Sequence, residues 1–111
     1  MENKAQLTIN SIDKAELLQK IQDKKQFQLV NVLAPENYNL GFIKGSRKIP
    51  LTELDRRSIE LDKKTEVITY CANYDCPASR QAAEKLAAKG FKTRVYEGGI
   101  KEWKESGFPV E

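Results

Sequence analysis

The chain has 111 residues, of which 40% are hydrophobic and 32% are charged, a balance typical of one globular domain with a buried core. Its 19 lysines and arginines are scattered among 16 aspartates and glutamates, and the net charge is only +3. Because the basic residues form no stripe, the sequence argues against nucleic-acid binding. The absence of histidine excludes histidine general bases, Ser/His/Asp triads and nearly all transition-metal sites, and we expect neither a metal nor another cofactor.

The expected location rests on the amino terminus and on the lengths of the apolar runs. Residues 1–6 lack the apolar core of a signal peptide, and no apolar run is long enough to span a bilayer. We therefore expect a cytoplasmic protein without membrane contact. In that compartment two cysteines remain thiols or cycle, rather than form a permanent disulfide.

The first third of the chain predicts two strands with a helix between them. Residues 6–9 form a candidate edge strand. Asp13 has capping-box spacing to Glu16, ahead of a helix that should end near residues 23–25. The mostly apolar run 27–33 predicts a strand buried on both faces.

Shorter features follow in the middle of the chain. Pro35 suits the first position of a single helical turn over residues 34–38. Residues 41–45 predict a turn into a short extended piece, and Thr52 is a candidate N-cap for another helix. The inward-facing residues of that helix would be Leu54, Ile59 and Leu61.

The second half is organised around residues 67–83, which predict a strand, a short loop holding both cysteines, and an amphipathic helix. That helix should end at Gly90. A strand at 93–96 and a last helix at 100–105 follow, and Trp103 should pack in the core. Strands that alternate with helices predict an α/β fold with a mainly parallel sheet.

Cys71 directly follows the strand of this central stretch. In open parallel sheets the carboxyl ends of the strands are where ligands bind. Loop amides and the positive end of the following helix dipole both favour a thiolate at such a position. The sequence therefore predicts a thiolate-based site.

Short motifs along nearly all of the chain resemble the rhodanese-homology family. Residues 29–38 and 41–51 are similar to its first signature, and Cys71 with the Gly-Gly-x-x-x-Trp run at 98–103 is similar to its second half. Each motif is weak alone, but their order and spacing together identify the chain as a member. The resemblance implies a single rhodanese-like domain over 1–111, with about five strands and helices on both faces of the sheet.

The activity implied by this resemblance is sulfur transfer. Cys71 would take sulfane sulfur from a small-molecule or protein-bound donor, hold it as a persulfide, and pass it to a thiol or cyanide acceptor. The loop residues Ala72, Asn73, Tyr74 and Asp75 would contact the substrate, with inward-pointing amides that stabilise the negative sulfur. We expect a monomer or a weak dimer.

The chain departs from the common family pattern at four positions. Asn31 stands where many relatives have aspartate, Leu33 where they have arginine, and Phe42 where histidine is frequent. Cys76 replaces a loop cation, which places the chain closer to a subgroup with Cys-x4-Cys in the loop. Together with the negative charge of Asp75, this disfavours thiosulfate and favours uncharged, polysulfide or protein-bound donors.

Several residues of the loop and helix keep two interpretations. Cys76 is either a small half-buried residue at the helix start or a resolving thiol within disulfide reach of Cys71, and which cysteine is the primary nucleophile stays open. Arg80 is either a surface partner of Glu84 four residues on, which we favour, or an attractor of anions at the site mouth.

Three functions follow from these alternatives. The leading one is a rhodanese-like sulfurtransferase, the second is a thiol–disulfide or polysulfide redox protein that uses Cys71 and Cys76, and the third is a non-catalytic rhodanese-like binding module. Phosphatase chemistry on this fold needs Cys-x5-Arg to bind phosphate, and Pro77 stands at the arginine position.

Overall fold

A five-stranded parallel sheet forms the centre of the computed structural model, which describes residues 9–111. The strands are β1 (Asn10–Ser11), β2 (Gln28–Asn31), β3 (Arg47–Lys48), β4 (Val67–Tyr70) and β5 (Thr93–Tyr96). Their order across the sheet is β1-β5-β4-β2-β3. The predicted parallel α/β sheet is confirmed. The edge strand predicted at 6–9 lies outside the described residues except for Ile9, and β1 begins at the next residue.

Four helices connect or follow these strands. They are α1 (Lys14–Gln22), α2 (Leu54–Arg57), α3 (Ala78–Ala88) and α4 (Gly99–Glu105), with 3₁₀ segments at Pro35–Leu40, Leu51–Glu53 and Ser58–Glu60. At the start of α1 the Asp13 side chain accepts a hydrogen bond from the Glu16 amide at 2.8 Å, as expected of an N-cap. The Glu16 carboxylate does not close a capping box, because it pairs with Arg94 of β5 at 2.8 Å.

Helices cover both faces of the sheet. On one face the hydroxyl of Thr69 donates to the Ser79 carbonyl of α3 at 2.7 Å, and all four residues of β4 are buried. On the other face Tyr96 packs edge-to-face against Trp103 of α4, with ring centroids 5.8 Å apart. This two-sided cover explains why the central strand β4 is buried along its whole length.

Trp103 anchors the carboxyl-terminal part of the chain in the core. Its side chain is fully buried, and its indole N–H donates to the Pro109 carbonyl at 2.7 Å. The prediction that it packs in the core is confirmed. Gly90 follows Lys89, the C-cap of α3, and adopts a left-handed φ of 99°, as the sequence predicted for the end of this helix.

The helix predicted after Thr52 is replaced by three short segments. Thr52 lies inside the first of them, and no side chain caps either that segment or α2. Leu54 and Leu61 are buried as predicted, but Ile59 is 89% exposed, so its inward placement was wrong. The reason is that the chain alternates between 3₁₀ and α geometry here, and the 3.6-residue spacing is not maintained.

Within residues 9–111, no helix combines the length and the apolar character needed to cross a membrane.

Candidate active site

The two cysteines lie together at the carboxyl edge of the sheet. Cys71 directly follows the central strand β4 and is only 1% exposed, whereas Cys76, one residue before the Pro77 N-cap of α3, is partly exposed. Their sulfurs are joined in a disulfide, and their Cα atoms are 6.5 Å apart, inside the range that such a bond requires. The five-residue arc predicted from the Cys-x4-Cys spacing therefore brings both sulfurs to one point.

Asn73 shapes the loop between the cysteines. Its side-chain oxygen accepts from the Asp75 amide at 2.9 Å, and its backbone carbonyl accepts from the Cys76 amide at 3.1 Å. The carbonyl of Cys76 in turn faces the Cys71 sulfur at 3.4 Å. In this disulfide-bonded loop, two of the amides that we expected to point at Cys71, those of Asp75 and Cys76, donate to Asn73 instead. The group next to the Cys71 sulfur is the Cys76 carbonyl.

The first turn of α4 holds the other side of the loop. The amides of Ile100 and Lys101 donate to the carbonyls of Cys71 and Ala72, each at 2.9 Å. Gly99 makes this approach possible, because it has a φ of +68° and a Cβ there would lie 2.6 Å from the Cys71 oxygen. The sequence marked this glycine only as part of a signature and did not predict its contact with the loop.

A carboxylate of α4 fixes the tip of the loop. Glu102 accepts hydrogen bonds from the phenol of Tyr74 at 3.1 Å and from the phenol of Tyr96 at 2.7 Å. The bond to Glu102 raises the pKa of Tyr74, and burial followed by the same carboxylate raises the pKa of Tyr96, so both phenols remain neutral donors. Sequence reasoning missed Glu102; the only available signal was an acidic residue in the first turn of the last helix.

Arg80 pairs with a residue far away in sequence. Its guanidinium contacts the Glu97 carboxylate at 2.7 Å and also donates to the Ile9 carbonyl at 3.3 Å. The favoured pairing with Glu84 was therefore wrong, because two N–H groups of the guanidinium donate to one carboxylate oxygen of Glu97, which directly follows β5. Arg80 stays close to Cys76, but its charge is shared with a carboxylate.

An open groove of about 360 Å³ runs beside the more exposed cysteine. We call it the Cys76 groove, and its lining residues are Tyr74, Asp75, Cys76, Pro77, Ser79, Arg80, Gln81, Glu84 and Glu97. Three carboxylates and one guanidinium contribute its charge, and Cys71 does not reach it. In the part of the chain that the structure describes, no cluster of three or more cysteine or acidic side chains is arranged to hold a metal ion.

The positions that depart from the common family pattern have structural roles here. The Asn31 side-chain oxygen accepts from the Leu33 amide at 2.9 Å and so fixes the turn after β2. Leu33 is 4% exposed and belongs to the core. Phe42 packs edge-to-face on Tyr38, with Lys48 over its ring at 4.4 Å. None of the three presents a charge to the cysteines.

Known proteins share both sequence and fold with this chain. A family model described as a rhodanese-like domain matches residues 13–106. An HTH-type transcriptional regulator from Mycobacterium tuberculosis is 30% identical over 102 residues, which are 92% of this chain but 45% of that protein, so the chain spans less than half of this relative. A sulfurtransferase from Allochromatium vinosum is 28% identical, with 92% and 94% of the two chains covered. The crystal structure of a rhodanese-related protein from Thermoplasma volcanium matches at 30% identity with a TM-score of 0.80, covering 92% of this chain and 97% of that one.

Proposed function

Since this chain belongs to the rhodanese-like domain family, we propose that it transfers sulfane sulfur through a persulfide on Cys71, with Cys76 as the thiol that resolves it. Sulfur transfer as the general chemistry has the support of the similar sulfurtransferase from Allochromatium vinosum. The observation that carries the specific proposal is the position of Cys71 at the end of the central strand, in bonding contact with Cys76.

Loading of the site is a displacement at sulfur. The Cys71 thiolate attacks the outer sulfur of a donor R–S–S⁻, a bond forms between these two sulfurs, and the bond between the donor sulfurs breaks. The donor leaves as R–S⁻, and Cys71 becomes a persulfide. A thiolate is the nucleophile in such exchanges, so the Cys76 carbonyl that now faces the Cys71 sulfur has to turn away before the donor arrives.

Two routes discharge the persulfide. An external thiol or cyanide attacks its outer sulfur, takes that atom away and leaves the Cys71 thiolate. Alternatively, the Cys76 thiolate attacks the inner sulfur of the protonated persulfide, the outer sulfur leaves with its proton as hydrosulfide, and the Cys71–Cys76 disulfide remains. The 6.5 Å separation of the two Cα atoms supports the second route, because that bond forms without movement of the strand or helix.

The charges near the loop bear on the identity of the donor. Asp75 stands within the loop, and the nearest cation after it, Arg80, is already paired with Glu97 at 2.7 Å. The Arg80 charge is therefore already balanced by a carboxylate and is not free to hold a dianion such as thiosulfate. We propose polysulfide or protein-bound persulfide as donors and cytoplasmic thiols as acceptors.

Intact-mass analysis of the reduced protein after polysulfide treatment tests this function. We expect Cys76→Ser to gain one sulfur atom and hold it, while the wild type releases sulfide and becomes lighter by two hydrogen atoms. Cys71→Ser should do neither and should lose sulfur transfer to cyanide. Sulfur transfer at the wild-type rate in Cys71→Ser would refute a persulfide on Cys71.

The disulfide itself favours a second candidate, a thiol–disulfide redox protein that needs no sulfur donor. This candidate predicts a defined reduction potential together with no persulfide in Cys76→Ser. The third candidate, a binding module without chemistry, predicts slow alkylation of both thiols at neutral pH and no adduct in any variant. The same set of mass spectra therefore separates all three functions.

A further inference from the structure

The two cysteines of the disulfide differ in their access to solvent. Cys71 is 1% exposed beneath the loop, while Cys76 is partly exposed and lines the Cys76 groove. Thiol–disulfide exchange requires the incoming thiolate to reach the sulfur that it attacks. Access therefore favours attack on Cys76, with Cys71 as the leaving group.

The surroundings of the two sulfurs favour the same direction of opening. Once Cys71 leaves and takes up a proton, its S–H can donate to the Cys76 carbonyl, which already lies 3.4 Å from this sulfur. The displaced thiol is thus received by an acceptor that is in place before the reaction. No corresponding acceptor for the Cys76 sulfur is found among the described residues.

The Cys76 groove also selects among incoming thiols by charge. Asp75, Glu84 and Glu97 contribute three carboxylates to it, and the single guanidinium of Arg80 is paired with one of them. A thiolate brings a further negative charge, so a second negative charge next to its sulfur adds repulsion, and a positive charge relieves it. One unit charge at contact distance in water changes the rate of the attack by about fivefold.

We propose that the Cys71–Cys76 disulfide is opened by an external dithiol that attacks Cys76 through the Cys76 groove and carries no negative charge beside its attacking sulfur. The first thiolate of the dithiol bonds to the Cys76 sulfur, the disulfide bond breaks, and its electron pair leaves with Cys71. The second thiolate attacks the first sulfur of the dithiol and releases Cys76 as a thiolate. The dithiol is oxidised to a disulfide, and the protein regains two thiols.

This inference rests on the proposed function, because the resolving step of that function produces the disulfide. It adds which of the two cysteines the reductant attacks when the disulfide is reduced. The reductant is bonded to Cys76 and never to Cys71, so the sulfur that accepts the next sulfane atom is set free in the first step.

Peptide mapping after a brief reaction tests the direction of opening. The wild-type protein is oxidised with diamide, mixed with 2-mercaptoethanol, quenched in acid and capped with N-ethylmaleimide. Cleavage after Tyr74 or before Asp75 separates the two cysteines onto different peptides. We expect mercaptoethanol on Cys76 and maleimide on Cys71. The reverse pattern, an even distribution, or the absence of a disulfide after diamide would each overturn the inference.

Rates with three thiols test the charge preference. Cysteamine should open the disulfide about fivefold faster than 2-mercaptoethanol, and 3-mercaptopropionate about fivefold slower, after each rate is divided by that thiol's rate with a small neutral disulfide. Glu84→Gln should bring the normalised rates of the three thiols closer together. Asp23→Asn is the control, because it changes the net charge equally but lies at the C-cap of α1, and it should leave the differences between the three rates unchanged. Equal normalised rates would overturn the charge preference. Neither experiment contains a sulfur donor, so both results stand apart from the outcome for Cys71→Ser.

Discussion

Replacement of Gly99 by alanine is a direct test of how α4 supports the cysteine loop. Gly99 has a φ of +68°, and a Cβ at this position would lie 2.6 Å from the Cys71 oxygen and 2.7 Å from the Ala72 oxygen. Both atoms belong to backbone, so no side chain can rotate to make room. The substitution must therefore strain the chain or push the loop away from the helix.

The expected loss of stability has two parts. A left-handed backbone conformation costs a residue with a Cβ about 1–2 kcal/mol. Displacement of the loop removes the hydrogen bonds from Ile100 and Lys101 to the Cys71 and Ala72 carbonyls, at about 0.5–1.5 kcal/mol each. We expect the free energy of unfolding to fall by about 2–5 kcal/mol in total.

Gly107→Ala is the matched control for this experiment. Gly107 has a φ of +73°, and nothing lies within 4 Å of the Cβ that would be added, so only the backbone cost of about 1–2 kcal/mol applies. Urea unfolding of both variants under reducing conditions gives the difference, and the rate at which diamide closes the Cys71–Cys76 disulfide reports on the loop. Equal stability losses in the two variants, with closure at the wild-type rate in Gly99→Ala, would refute the close contact.

Three further predictions concern other parts of the fold. Unfolded tyrosines ionise near pH 10, whereas the raised pKa keeps Tyr96 protonated in the folded state, so the free energy of unfolding should stay constant up to that pH and fall above it. In urea melts at about pH 8–11, Glu102→Gln should make this fall shallower, and a fall as steep as that of the wild type would contradict the prediction. Thr69→Val should cost about 1–2 kcal/mol through its buried hydrogen bond to α3, and a neutral result in thermal melts would show that the bond is dispensable. Ile59→Ser should change stability by less than about 0.5 kcal/mol, against about 2–5 kcal/mol for Leu54→Ala, and similar losses would place Ile59 in the core.

The sequence was sufficient for the elements whose signals are local. Each of these elements is indicated by residues within one short segment. They are the strand at 67–70, the amphipathic helix that ends at Gly90, and the last helix with its buried Trp103. The alternation of these elements then allows a parallel sheet with helices on both faces. The meeting of Cys71 and Cys76 was predictable for the same reason, because it depends on a five-residue arc.

Contacts between distant segments were not predictable from these patterns. Arg80 was assigned to Glu84 because the helix rule considers only neighbours on the helix, whereas its partner Glu97 directly follows β5. The bridge from Glu102 to Tyr74 joins α4 to the loop after β4, and neither segment alone indicates it. Ile59 was misplaced for a local reason, since the change between 3₁₀ and α geometry leaves no mark on the apolar spacing.

The strand order of the sheet sets the time at which the site can assemble during synthesis. β5 lies between β1 and β4, so the central strand gains its second neighbour only after residue 96 has been made. The loop gains its support later still, because its carbonyls are held by α4 at residues 99–105. Domains generally fold as units while the chain emerges, and surface that is still unpaired is exposed until then. On the ribosome both cysteines therefore precede the segments that bury Cys71, and the nascent thiols pass through a stage in which either one is open to oxidants.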